Sequence, residues 1–449
     1  MSRVVIIGGG LAGITAALDC AAGGAEVTLL ESRGRLGGAA YSFERDGLTV
    51  DNGQHVFLRC CHAYLELIDS LDAQALVRCQ PRLSIPVLAP GGRVAWLQRD
   101  NLPAPLHLAR SLLGYRYLSA LERVAVAVVM QALGRVDCDD PANDARSFGS
   151  WLAAHRQSNN TVEVIWELIA KPTLNLSVGD ASLAQAAYVF QQGLLGDAAA
   201  GDVGYAQVSL GQIHDVAARA ALERAGVTVA LRTGATAIEQ DAAGFRVQIS
   251  GQPTESADAV IAAVPPTRAK QLLPAAAGLS AEQLEGLGSS PIVNLHIVYD
   301  RPIMGVDFAA TVYSPVQWIF DRTRASGLTR GQYVAISLSA ADAELDMTAS
   351  ELRARFLPEI ASVLPAAADA TVENFFVTRE HAATFRVAPG QRRLRPGPRT
   401  RVEGLTVAGA WTDTGWPATM EGAVRSGHAA AQQALATLSA RSVPERVTA

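Results

Sequence analysis

The chain of 449 residues is short of the features that most directly mark a metal centre, a disulfide scaffold or a nucleic-acid surface. Its five cysteines, Cys20, Cys60, Cys61, Cys79 and Cys138, are odd in number and contain no C-x-x-C pair. That usage argues against both a disulfide framework and a zinc site, and it fits a reducing cytoplasm. The eight histidines include no H-x-x-x-H pair, so no metal is expected. Only two lysines occur, Lys171 and Lys270, and the formal net charge is −5 with no Lys/Arg run, which leaves no basic field for nucleic-acid phosphates. No period of roughly 20 to 50 residues repeats, which excludes a solenoid or propeller.

Long apolar runs are missing as well. The most apolar segment, Leu102 to Leu133, is broken by His107, Arg110, Arg116, Glu122 and Arg123, and its purest part, Val124 to Met130, is far below the roughly 20 residues a bilayer span requires. The N-terminal run Val4 to Ile7 is too short for a signal-peptide core. What remains is 49% hydrophobic and 18% charged, the balance of a soluble, well-packed protein. At roughly 100–200 residues per domain, two domains are expected.

The richest stretch is "VVIIGGGLAGITAALDCAAGGAEVTLLE", Val4 to Glu31. Val4 to Ile7 reads as a strand buried on both faces, and Gly8, Gly10 and Gly13 place G-x-G-x-x-G between that strand and a helix. Glycines there permit a tight turn, close approach of backbone to a pyrophosphate, and contact of helix with sheet. The first N–H groups of the helix suit phosphate. A second strand, Val27 to Leu30, ends at Glu31, whose carboxylate is placed for a ribose 2′-hydroxyl and argues against NADP.

Signals of the same kind recur far apart in the chain. "GQIHDVAARAALERAGVTVALRTGATAIEQ" reads as a helix stopped at Gly226 and a strand over Val227 to Leu231; "GFRVQIS" alternates like an exposed edge strand, and "ADAVIAAVPP" is a buried strand. Near the C-terminus, Leu405 to Ala408 reads as a strand leading to a helix opened by Pro417. Between them, residues 76–204 are mostly helical in pattern, with Ser147 capping "SFGSWLAAH", and residues 290–395 begin with strands such as "VNLHIVYD", "QWIFD" and "YVAISLS". The expected fold is α/β: a discontinuous Rossmann-like domain from 1–75, 205–289 and 396–440, a second α+β substrate domain from 76–204 and 290–395, and a flexible tail over 441–449. Their interface is the expected ligand site.

Three motifs, the glycine loop, "ESRGRLGG" (Glu31 to Gly38) and "VAGAWTDTGWPATMEGAVRSG" (Val407 to Gly427), resemble the FAD-dependent amine oxidase and phytoene desaturase superfamily over essentially the full length. Within it, "DNGQHVFLRCC" and "PTLNLSVGDASLA" are similar to the hydroxysqualene dehydroxylase branch. The resemblance implies FAD as cofactor, with Gly8, Gly10, Leu11, Ala12 and Gly13 at the pyrophosphate and Glu31 on the adenosine ribose. It implies Arg33, Gly37 and Gly38 in the second signature, Ala235 near the adenine, and Gly409, Thr419 and Met420 at the flavin end. Two positions depart from the pattern. Ala39 stands where many relatives have a basic residue and Ala410 where they have an acid, and neither supplies a side-chain hydrogen bond, which implies weaker FAD retention. Asp413 is a stand-in for the missing acid.

The branch implies an FAD oxidoreductase that removes the hydroxyl of hydroxysqualene to give squalene on the route to hopanoids, with a lipophilic isoprenoid as substrate and other squalene-pathway enzymes as neighbours. An acid must then help the oxygen leave as water, and Asp51 and His55 in "DNGQH" are the candidates, ahead of Glu167 and Asp413. Leu106, Leu108, Leu112 and Leu113 supply one side of an apolar tunnel, and Leu102 to Leu133 reads equally as plain core or as a patch lying in the cytoplasmic membrane face with arginines at its edge. The alternatives are a carotenoid desaturase, a flavin amine oxidase, and a non-enzymatic relative that keeps FAD as a prop. Scarce lysine disfavours the amine oxidase, since many of those place a lysine near flavin N5.

Overall fold

The computed structural model describes residues 1–242 and 244–442. Five strands from three separated parts of the chain form one parallel sheet, in the spatial order Thr228–Leu231, Glu26–Glu31, Arg3–Ile7, Ala259–Ala262, Leu405–Val407. The two central strands explain the unbroken apolar runs. Val4, Ile6 and all of Ala259–Ala262 have no exposed surface, because the helices Leu11–Ala22 and Met420–Ser442 cover one face of the sheet and a small sheet carrying Phe245, Val247 and Ala257 covers the other. Each valine or isoleucine so buried contributes roughly 1.5–3 kcal/mol. On one face the helix Leu11–Ala22 lies against the last helix, Met420–Ser442, close enough that a Cβ on Gly427 would overlap the Ala12 carbonyl.

The second unit is built on a seven-stranded mixed sheet, ordered Val372–Thr384, Ser290–Tyr299, Gln332–Ser339, Trp318–Asp321, Phe308–Thr311, Ser84–Ala89, Arg93–Gln98. One face packs on the helix Ala349–Val363, whose Leu352, Phe356 and Ile360 meet Leu295, Ile297 and Ile336. Thr348 and Glu351 close its first turn as a capping box. Helices of residues 106–195 lie beyond the other face, and serines start four of them: Ser119, Ser147, Ser158 and Ser182 each accept a hydrogen bond from a first-turn N–H. A buried ion pair ties the two units together: Arg322 Nη2 lies 2.5 Å from Asp51 Oδ2, while Asp51 Oδ1 accepts from Ser42 Oγ at 2.6 Å and Leu210 N at 2.9 Å.

Several expectations from the sequence need correction. Residues 76–204 open with strands: Ser84–Ala89 and Arg93–Gln98 form a hairpin around Gly91 and Gly92, both at positive φ, and complete the seven-stranded sheet before the helices begin. The strand Val203–Ala206 crosses the expected boundary at 204/205 and pairs with both Val56–Leu58 and Val77–Cys79. "GFRVQIS" is the central strand of a small sheet, between Ala235–Asp241 and Glu255–Ala257, and its alternation reflects one covered face. Pro417 precedes the last helix by three residues. That helix starts at Met420, and Thr419 Oγ1 caps it by accepting from Gly422 N at 3.1 Å. The helix continues through Arg441 and Ser442, so these first two residues of the expected tail are helical, and the rest of it lies outside the described residues.

Three deep histidines make folding sensitive to acid. Burial lowers His214 and His55 to about 4 and His296 to about 3, the last two with help from Arg322 and Arg45 respectively. In the unfolded chain each protonates near 6.5, so unfolding takes up protons between pH 6.5 and about 4, and stability is lost as pH falls through that interval. His428, raised by its bond to Asp19, works oppositely and loses its contribution as pH rises. The expected outcome is a urea midpoint that drops steeply from pH 6.5 to 4, and a drop made shallower by His296→Gln.

Candidate functional site

The site grows from the turn after Ile7. Gly8 takes φ +109°, and a Cβ there would overlap the Ala263 carbonyl; a Cβ on Gly13 would overlap the Gly8 carbonyl. The two glycines let the helix Leu11–Ala22 begin directly against the sheet. Gly10, at its N-cap, offers no side chain, so the first N–H groups of the helix are left for another acceptor. Opposite stands Gly38 at φ +57°, where a Cβ would come within 2.8 Å of Gly10 Cα. Backbone from two loops thus forms a cradle that side chains would fill.

Glu31 is buried at the end of its strand and holds the cradle's shape, accepting from Gly9 N and Arg33 N at 2.7 Å each. The loop after Leu231 is bonded alongside, through Thr233 N to the Glu31 carbonyl and Arg232 N to the Arg33 carbonyl. This brings Ala235 to the same wall. From the opposite end of the chain, Gly409 N donates to Ser426 Oγ at 2.8 Å, and the loop that follows runs back past Ala410 to Thr419 and Met420.

Gly8, Gly10, Leu11, Ala12, Glu31, Arg33, Gly37, Gly38, Ala39, Ala235, Gly409, Ala410, Thr419, Met420 and His55 all line one cavity of about 2010 Å³. Gly13 lies beneath the turn, outside the wall. The volume is about twice the upper end of the usual range for a single small-molecule site, roughly 300–1,000 Å³, so there is room for two ligands end to end.

The acid candidates separate. Asp51 is off the cavity wall, and both its oxygens are taken by Ser42, Leu210 and Arg322, so its place in the fold is that of an anchor. Glu167 bonds Val178 N at 3.1 Å and Asp413 bonds Gly415 N at 3.3 Å, and neither faces the cavity. His55 does face it. Burial and the Arg322 charge hold its ring neutral, which makes it a hydrogen-bonding group and a poor proton donor at neutral pH.

Four residues on the wall were not singled out in the sequence. Arg35 stacks over the Tyr41 ring at 3.4 Å and donates Nη1 to the Leu36 and Gly38 carbonyls, while its Nη2 is buried with no partner. Burial and the neighbouring Arg33 lower its pKa. Here is a cation beside Gly38 where Ala39 offers none; it stands in "ESRGRLGG" two places past the exposed Arg33. Asn52, next to Asp51, donates Nδ2 to the Ala39 carbonyl and to Glu380 Oε1, both at 2.9 Å. Asn294 is fully buried, and its Oδ1 has no partner. Nothing local in "VENFFVTREHAAT" or "VNLHIVYD" marks Glu380 or Asn294, because strand pairing alone brings them to the cradle.

Polarity falls away along the cavity. Glu380 and Asn294 lie at the cradle end of the seven-stranded sheet, and Trp318, Phe320, Ile85 and Leu97 continue across it toward the other edge. Seven strands at the usual spacing span about 29 Å. At the far edge the helix Ala109–Gly114 is bonded to the hairpin through Ser111 and Trp96, and with Ala120–Leu133 it frames an opening. Leu106, Leu113, Val124 and Val128 line the cavity and are also 56–69% exposed. Leu102, Leu121, Trp96, Arg110, Arg116 and Arg135, on the same helices and the adjoining chain, are exposed as well. Among the described residues no lysine reaches the wall.

If Arg35 Nη2 completes the cradle, Arg35→Ala removes a charge-assisted hydrogen bond worth about 1.5–3 kcal/mol, roughly a 10- to 100-fold loss of dinucleotide affinity. The expected readout is a lower flavin absorbance per protein after gel filtration, restored by adding excess FAD. Unchanged flavin content would remove Arg35 from the site.

The chain is 28% identical to a hydroxysqualene dehydroxylase of Rhodopseudomonas palustris, over 97% of this chain and 99% of that one. It is 23% identical to a zeta-carotene desaturase of Synechocystis, over 97% of each. Its fold matches cyclohexylamine oxidase from Brevibacterium oxydans with a TM-score of 0.71 at 20% identity, covering 98% of this chain and 99% of that one. The model of the family described as flavin containing amine oxidoreductase matches residues 11–435, a span that begins at the first helix of the cradle and ends in the helix that returns to it. With that match over nearly its whole length, this chain belongs to the flavin containing amine oxidoreductases and is an FAD-dependent enzyme.

Proposed function

We propose that the protein reduces a long isoprenoid alcohol of the hydroxysqualene type, releasing the hydroxyl as water and giving squalene or a close counterpart. One observation carries this reading: a single cavity runs from the glycine cradle across an apolar sheet face to a mouth ringed by exposed leucines. A small amine would have no use for that length, and the wall offers no lysine. The resemblance to a hydroxysqualene dehydroxylase over almost the full chain supports the same substrate class.

When bound, FAD supplies a two-electron hydride centre, recharged by an external reductant. In this reading Gly8, Gly10, Leu11, Ala12 and Gly13 shape the pyrophosphate cradle, Glu31 and Arg33 take the ribose, and Ala235 borders the adenine. Arg35 supplies positive charge beside Gly37, Gly38 and Ala39. Gly409, Ala410, Thr419 and Met420 close the flavin end. The uncapped start of Leu11–Ala22 and the unpartnered Arg35 Nη2 are polar groups of the kind an anionic dinucleotide satisfies. Asp51 acts through Arg322 to hold the loop that carries Asn52 and His55, and the apolar sheet face excludes water along the substrate chain.

In this reading the mouth is also the route of entry. Exposed leucines and valines on two short helices, with arginines around them, form a surface that inserts shallowly into a bilayer and takes the substrate from it. No helix among the described residues is long and apolar enough to cross a membrane.

Anaerobic incubation of the reduced holoenzyme with hydroxysqualene is expected to give squalene on extraction. Conversion of phytoene or zeta-carotene by the oxidised enzyme, with no squalene formed, would replace this reading with a desaturase. Separately, the protein is expected to co-float with phosphatidylglycerol vesicles more than with phosphatidylcholine vesicles. Leu102→Asp combined with Leu121→Asp, two exposed positions off the cavity wall, should cut co-flotation several-fold while detergent-dispersed substrate is still turned over.

A further inference from the structure

A departing hydroxyl needs a proton, and of the two residues of "DNGQH" considered for that task Asp51 is off the wall and His55 is held neutral. Four carboxylates reach the cavity wall: Glu31, Glu285, Glu380 and Glu421. Three are committed elsewhere. Glu31 is held by the N–H groups of Gly9 and Arg33. Glu421 caps the helix His62–Ser70 by accepting from Ala63 N and Tyr64 N, and it pairs with Arg425 at 2.6 Å. Glu285 bonds Lys270 at the exposed surface.

Glu380 is different. Its Oε1 accepts from Asn52 Nδ2 at 2.9 Å and Tyr41 OH at 3.4 Å, while no described residue bonds Oε2. Asn52 in turn holds the Ala39 carbonyl, so Glu380 is fastened by one intermediary to the cradle itself. Across the sheet, Glu380 pairs in register with Ile292, two residues from Asn294. Asn294 donates Nδ2 to the Asn52 carbonyl at 3.1 Å, and its buried Oδ1 is left without a donor. One side chain on this wall therefore has a carboxyl oxygen to spare, and a neighbour on the next strand lacks a hydrogen bond. A substrate hydroxyl, which both donates and accepts, satisfies the two together.

We propose that Glu380 is the catalytic proton donor of the reaction, with Asn294 Oδ1 accepting the hydrogen of the substrate hydroxyl. The assignment rests on the dehydroxylation reading above. The carboxylic acid gives its proton to the hydroxyl oxygen and the C–O bond breaks with its electron pair going to the departing water, while FAD, when bound and reduced, would supply the hydride the carbon needs. Overall an alcohol, a hydride and a proton become a hydrocarbon and water. The carboxylate left behind regains its proton from solvent, and the external reductant restores the hydride.

The test compares two leaving groups. Hydroxysqualene needs the proton, whereas the corresponding allylic chloride departs without one. In Glu380→Gln, an isosteric change that can keep the bond to Asn52, turnover of the alcohol is expected to fall about 100- to 10,000-fold, the usual range for general-acid catalysis. Turnover of the chloride, corrected for an enzyme-free blank, is expected to stay within a few-fold of the parent. Glu380→Asp, which keeps a carboxyl on a shorter stem, is expected to recover part of the alcohol rate. Flavin content and melting temperature check that each variant is folded and loaded, and if Glu380→Gln is not, the Asp variant carries the comparison. Equal losses on both substrates in a loaded variant would make Glu380 a structural residue and overturn the assignment. Parental rates on the alcohol would overturn it too. If the unaltered enzyme converts neither substrate, the dehydroxylation reading fails first and this assignment goes with it.

Discussion

The close crossing of the first and last helices is the constraint on which the site depends. Gly427 packs on Ala12 and Thr15, with no room for a Cβ, and the crossing is lined by Ala16, Ala430 and Ala434. Small residues let the backbones approach, and that approach sets where Thr419 and Met420 lie relative to Gly8 and Gly10. The strand Leu405–Val407 is bonded on one side to Ala259–Ala262 and on the other to residues 398–400, so its own pairing fixes height and direction but leaves the following loop to be placed by the helix. Bulk at the crossing would shift the tail motif and the cradle apart, and a cavity closed by both would open.

A second constraint sets the other wall. Asp51 and Arg322 are buried together, and an ion pair of this kind adds little net stability because desolvation offsets attraction, whereas losing one partner costs about 3–5 kcal/mol. Its effect is therefore positional. The pair, with Ser42 and Leu210, pins the start of the loop that carries Asn52 and His55 to a residue of the second unit. Asn52 then reaches both the cradle, at the Ala39 carbonyl, and the sheet, at Glu380. Asp51, a candidate proton donor in the sequence, is held in the structure as the anchor beside which Asn52 is set.

What was legible in the sequence was local, and what was missed was not. The strand, glycine turn, helix and terminal acid of Val4 to Glu31 follow from apolar runs and φ preferences within thirty residues, and the structure places them as read. The hairpin of Ser84–Ala89 and Arg93–Gln98 was obscured by the strong helical pattern after it, and "GFRVQIS" alternates in a central strand because only one face of that small sheet is covered. The start of the last helix was misjudged because a proline suits a first turn, while a threonine three residues before a usable N–H made the cap. Glu380 and Asn294 carry no local signal at all. They meet Asn52 only because two strands of the seven-stranded sheet pair in one register, a contact across more than 240 residues from Asn52 to Asn294.

The fold does not by itself decide which way a hydride moves. A parallel sheet with a glycine turn holds a flavin equally well for oxidation and reduction, as the mixture of names among the relatives shows. Direction is set by proton management at the carbon that exchanges the hydride. Desaturation needs a base that removes a proton from the neighbouring carbon, and dehydroxylation needs an acid at an oxygen. A carboxyl group serves either end of that choice according to its protonation, so a wall with one uncommitted carboxyl is where the two chemistries part. In the reading proposed above, what tilts it is Asn294: an unpartnered acceptor beside that carboxyl has nothing to bind in a hydrocarbon and a partner in an alcohol. On that reading, a polar pair at the cradle end and apolar side chains over the rest suit an isoprenoid that carries a single hydroxyl.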